Sequence, residues 1–211
     1  QNRLLAIAGF DEEAVLYGVQ HVNSILHSEI TAENMPDRRQ QLDNLRNFKI
    51  MEYPQIENRG IWTWGYVIYD YKRFIDNMAR LRMNMLTIWN DCLPYNINDI
   101  INYAHDRGVK IILGFHWGWG LDWGQKDVVL TDANVREHIK SSVLVNWSRD
   151  YKNIPADGIY FQTLTEHGNT KIDGQSIAWA ACKLVNQIAG EILNQRSDLY
   201  LQFGIHATSV L

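Results

Sequence analysis

Apolar and polar positions change their period several times along the chain, and each change marks an element. Ile61 to Ile68 reads as a strand. Phe74, Ile75, Met78 and Leu81 then recur at helical spacing and predict a helix over Asp70 to Leu81. The same alternation continues with a strand at Met85 to Trp89, a helix at Asn98 to Asp106, and a strand at Val109 to Phe115. Next come a helix at Asn134 to Tyr151, a strand at Gly158 to Leu164, a helix at Ser176 to Gln195, and a strand at Leu199 to Ile205. Gly108 stands where a helix C-terminal cap belongs, and Thr131 or Asp132 is placed to start the third of these helices. The strands are apolar runs, as parallel strands covered on both faces must be.

Five strands alternate with four helices, and no dinucleotide-type glycine fingerprint follows the first strand. The expected fold class is therefore α/β, with about five βα units forming the first part of a (β/α)8 TIM-type barrel rather than a doubly wound sheet. A complete barrel takes about 250 residues, and a five-strand piece would expose two raw edges and an unfilled interior. The missing strands are thus expected in residues absent from this chain. Before the barrel, Arg3 to Ala8 reads as a strand and Asp11 to His27 as a helix, with Asp11 as N-cap and Glu12 and Glu13 suited to its positive end. One strand and one helix cannot bury their own apolar faces, so this piece is expected to belong to a larger preceding domain or to pack on the barrel. The opening on Gln1 reads as a processed or trimmed end. The chain accordingly divides into 1–30, a polar connecting segment 31–58 punctuated by Pro36 and Pro54 with one short helix near Arg38 to Asn47, and the barrel portion 59–211.

Charge narrows the partner. Lys and Arg number 20 against 24 Asp and Glu, with no basic block, so no phosphate-neutralising surface for nucleic acid is indicated. No apolar run approaches the roughly 18 residues of a membrane span. Cys92 and Cys182 form neither a metal-type pair nor a disulfide framework and leave the compartment open. No cofactor is called for.

In a barrel, chemistry collects at the C-terminal ends of the strands. The residues there are Trp62 and Trp64 from the first strand, Trp89, Asn90 and Asp91 from the second, and His116, Trp117, Trp119 and Trp123 from the third. The fourth supplies Thr163, Thr165, Glu166 and His167, and the fifth His206. Of eight tryptophans, six (62, 64, 89, 117, 119, 123) lie in or just after the first three strands. An indole face matches the C–H face of a pyranose while its N–H still donates, so the cluster suits a sugar; core filling is the alternative for any single ring. Glu166 follows an apolar strand directly, where desolvation would raise its pKa as a general acid for a glycosidic oxygen requires; a solvated or ion-paired loop glutamate is the alternative. A second carboxylate should stand opposite, about 5 to 5.5 Å away for retention or about 6.5 to 9.5 Å for inversion. Asp91 is the candidate within the chain, although Asn90-Asp91 equally suits a turn. His116, His167 and His206 with Asp91 and Glu166 also permit a metal reading, but no close-spaced ligand pair supports it, and no metal is assigned. Hydroxyl contact suits His116 better, and a structural role suits His206. The sequon-like Asn146-Trp147-Ser148 falls inside a predicted helix.

These residues also carry a family likeness. Arg59-Gly60-Ile61-Trp62, the stretch Met78 to Asn84, and Asn153-Ile-Pro-Ala-Asp-Gly158 before Thr165-Glu166-His167-Gly168 resemble bacterial α-glucuronidases and, more distantly, β-hexosaminidases. Ala8-Gly9-Phe10 through Leu16-Tyr17-Gly18-Val19 resembles the end of the small α/β domain that precedes the barrel in both. The resemblance implies a general acid at the end of the fourth strand, which is Glu166 here, and a base from a later strand. The expected function is glycoside hydrolysis of a poly- or oligosaccharide. A non-catalytic sugar-binding barrel relative and a metal-dependent hydrolase are the alternatives.

Overall fold

Side chains that cap their own backbone open four of the helices in the computed structural model, which describes residues 4–28, 47–64, 68–89, 92–115, 117, 130–161, 171–172 and 174–204. Asp11 accepts from the amide of Ala14 at 2.7 Å and starts α1 (Glu12–Ser28). Asp70 accepts from Arg73 at 3.0 Å and starts α2 (Tyr71–Arg80). α3 spans Ile97–His105. Asp132, rather than Thr131, caps α4 (Ala133–Asn146), and Ser176 caps α5 (Ile177–Gln195). Each cap satisfies amides that the first helical turn leaves without a partner.

The strands of the main sheet are β1 (Gly60–Trp64), β2 (Met85–Trp89), β3 (Lys110–Gly114), β4 (Gly158–Phe161) and β7 (Tyr200–Phe203). They pair in parallel in the order β1-β2-β3-β4-β7, so space follows sequence with no reversal. A doubly wound sheet would reverse its order and carry helices on both faces. Here Leu86, Ile88, Ile111, Leu113, Ile159 and Phe161, all of one pleat parity, share two core clusters with the buried residues of α2, α3, α4 and α5. All four helices therefore cover one face, and the other face is concave. This is the expected α/β class with barrel-type topology.

The curl is visible in side-chain contacts. Trp62 on β1 packs against Tyr160 on β4 with ring centroids 5.6 Å apart, although two strands stand between them. A flat sheet would hold those strands about 14 Å apart.

Boundaries differ from the expected ones in physically clear places. Residues 4–9 form no strand, and Leu4 and Leu5 are exposed: among the described residues no strand lies beside them to pair with. The third barrel helix ends at Asn146 and gives way to a π-helical turn, Trp147–Tyr151, instead of running on as α-helix. The loop after β4 holds a short antiparallel hairpin, β5 (Lys171–Ile172) with β6 (Gln175–Ser176), missed because two residues per strand show no period. The dipeptide Asp173-Gly174 is the sequence signal for such a turn, and Gly174 adopts φ 77°. The short helix expected near Arg38 lies outside the described residues, apart from its last position, Asn47, which is not helical.

The N-terminal ends of the strands are tied together by residues that carried the family likeness. Asn84 accepts from the Arg59 amide at 2.8 Å and donates to the Glu57 carbonyl at 2.9 Å. Asp157 accepts from the Ile111 amide at 2.7 Å. α1 docks at this same end: Arg59 lies over the Tyr17 ring, Arg82 bonds both His21 and Glu52, and Lys110 stands 4.0 Å from Glu13.

Candidate functional site

The pleat and the strand register together select what lines the concave face. Paired residues of parallel strands share a face, so one row runs Trp64, Trp89, Gly114, Tyr160, Gln202 at the C-terminal ends. The row beneath it runs Trp62, Thr87, Ile112, Gly158, Tyr200. Aromatic rings crowd the first row because glycine makes room: a Cβ at Gly114 would meet the Trp89 side chain at 3.0 Å.

Trp62 and Trp64 stack with centroids 6.1 Å apart and planes 8° from parallel, and they remain 45% and 52% exposed. Both stand on β1, an edge strand of the sheet, so part of this exposure belongs to the uncovered edge. Trp89 is 2% exposed and meets Tyr160 edge-on at 4.9 Å, so it serves as floor rather than as an open stacking surface. Tyr160 is the residue that sequence reading left out. It sat in a strand assigned by its apolar run, and nothing in a single strand says which face a tyrosine takes. Burial pushes its phenol pKa up, which keeps the hydroxyl protonated at neutral pH.

Below the mouth the interior is bridged. Thr87 donates to the side-chain oxygen of Gln202 at 3.0 Å, and the Gln202 amide reaches the Met85 sulfur at 2.8 Å. Polar groups in the barrel interior thus satisfy one another.

Trp117 requires a correction. It was expected to line the sugar site, but it is 1% exposed and stacks on Phe161 at 3.8 Å with planes 5° apart, within the cluster formed by α4 and α5. The reason is parity: the alternation that turns Ile111, Leu113 and Phe115 toward the helices carries on through Trp117. Its indole N–H is buried without an acceptor among the described residues. Glu166, Asn90, Asp91, His116, Trp119, His167 and His206 lie outside the described residues, so the structure neither gathers nor separates them. The same holds for the histidines of the metal alternative; among the described residues no three His, Cys, Asp or Glu side chains converge. Likewise, no described helix is long and apolar enough to cross a membrane.

No family profile and no curated protein sequence matches the chain. Among solved structures it is similar to a variant of the glycoside hydrolase domain of PelA from Pseudomonas aeruginosa, at 9% identity and a TM-score of 0.41. The match covers 69% of this chain and 59% of that one, so the chain spans less than two thirds of that domain. A likeness at this level carries no residue-by-residue correspondence.

Proposed function

We propose that this chain carries the sugar-binding mouth of a glycoside hydrolase acting on a poly- or oligosaccharide. One observation supports the reading above all: a stacked tryptophan pair, Trp62 and Trp64, on the concave face of a barrel-type sheet, with Trp64 at the C-terminal end of its strand. That is where barrels bind substrate, and paired indoles offer the apolar, polarisable surface that a pyranose face requires. Sequence position assigns Asn90, Asp91, His116, Trp119, His167 and His206 to the same mouth, with Asn90 and His116 as contacts for sugar hydroxyls and Trp119 lining the site. Glu166 is the general acid of the proposal, and the base is supplied by strands beyond this chain that close the sheet between the β1 and β7 edges. The finer likeness to α-glucuronidases belongs to the proposal too, and it rests at the mouth on Thr165-Glu166-His167-Gly168.

The test uses the full-length protein and release of reducing sugar from a polysaccharide panel. Glu166→Gln should lower turnover by about 10²- to 10⁴-fold, the usual worth of a positioned acid, while glycan binding persists. Turnover equal to wild type would remove Glu166 from the acid role. Binding without turnover in the wild-type protein would favour the non-catalytic sugar-binding alternative.

A further inference from the structure

One side chain connects the mouth. Tyr160 rises from β4, packs against Trp62 of β1 at 5.6 Å and against Trp89 of β2 at 4.9 Å. Its hydroxyl extends to the end of β7: a Cβ at Gly204 would fall 1.8 Å from the phenol oxygen and 2.6 Å from the carbon that bears it. The absence of a side chain at Gly204 is therefore what lets the ring lie across the concavity. The neighbours divide the phenol in two. The ring is held among indoles, while the hydroxyl stands at the strand ends in the row that also contains Trp64 and Gln202. A phenol both donates and accepts, and a sugar lying on an indole presents its hydroxyls around the ring edge.

We propose that Tyr160 is a substrate-binding residue, its ring flooring the sugar subsite beside Trp64 and its hydroxyl bonding an equatorial sugar hydroxyl, with Gly204 the position that admits it. This rests on the carbohydrate reading above and deepens it: the ligand is a pyranose with one apolar face on the tryptophans and one hydroxyl directed at β7. Three independent features converge on the assignment. The first is the two ring contacts, the second the register that puts Tyr160 in the mouth row, and the third a glycine, Gly204, where a methyl group would collide with the phenol. Because burial raises its pKa, the group stays a neutral donor across the physiological range.

The test is a glycan array with the full-length protein, followed by calorimetric Kd values for the oligosaccharide bound best, on wild type, Y160F, G204A and W64A, each with its melting temperature. Y160F keeps the ring and loses the hydroxyl, so it should bind about three- to tenfold more weakly, while its melting temperature reports separately on what the hydroxyl contributes within the protein. G204A should weaken binding at least as much, because its methyl displaces the phenol. W64A reports on the platform itself. If W64A loses affinity and Y160F binds like wild type, Tyr160 has no role in binding, whether or not Y160F melts lower, while the carbohydrate reading stands. If wild type binds no glycan on the array, both readings fall together.

Discussion

Thr87 on β2 donates a 3.0 Å hydrogen bond to Gln202 on β7, although β3 and β4 stand between those strands. Side chains that short bridge three strand spacings only because the sheet curls around its concave face. Thr87→Val keeps the shape, removes the donor and leaves the Gln202 oxygen without it. It should lower unfolding stability by about 1 kcal/mol in a urea titration. Adding Gln202→Leu should cost less than the sum of the two single changes, since the pair acts as a unit.

Gly114 has no room for a methyl group. A Cβ there would stand 3.0 Å from the Trp89 Cβ and 3.1 Å from its ring. Gly114→Ala should force the indole aside and destabilise the protein by about 1–3 kcal/mol, the usual range for overpacking. Near-ultraviolet circular dichroism should change with it, because Trp89 and Tyr160 are coupled edge to face.

Trp117 and Trp64 should separate packing from binding. Trp117 lies inside the helix-covered core and Trp64 at the open mouth. Trp117→Ala should cost about 3–5 kcal/mol of stability in a denaturant titration. Trp64→Ala should leave the melting temperature close to wild type and lose its effect into glycan affinity instead.

On the outer helices, partial burial works to raise the Asp76 carboxyl pKa, but hydrogen bonds from Arg107 and Tyr103 outweigh it and hold the group below the ordinary range. Because the folded value lies beneath the unfolded one, near 3.9, the stabilisation is fully present above about pH 4 and fades as pH falls through the folded value. The stability difference between wild type and Asp76→Asn should therefore be constant at neutral pH and shrink only in more acidic solution. A difference that changes between pH 6 and 8 would point to another group.

The alternation of periods in the sequence was enough to place the five barrel strands and the four helices between them, because amphipathic periodicity is local and each cap is a neighbour of what it caps. Asp11 was legible as a cap for that reason, and Asp132 as one of two candidates. The tryptophans were legible as a set but not one by one. Trp64 and Trp117 look alike along the chain, each at a strand's C-terminal end, yet register and pleat send one to the concave mouth and the other beneath α4 and α5. Tyr160 and Gly204 belong together only because strand pairing sets Phe161 opposite Phe203 and brings the chain ends of β4 and β7 side by side. The motifs behind the family likeness divided as well: Arg59, Asn84 and Asp157 lock the strand starts, at the end remote from the mouth. Periodicity is written in neighbouring residues, so the sequence determined which elements form. The side of the sheet on which an aromatic ring falls, and the strand it meets there, depends on contacts across 25 to 115 residues of chain, and those the tertiary structure alone decided.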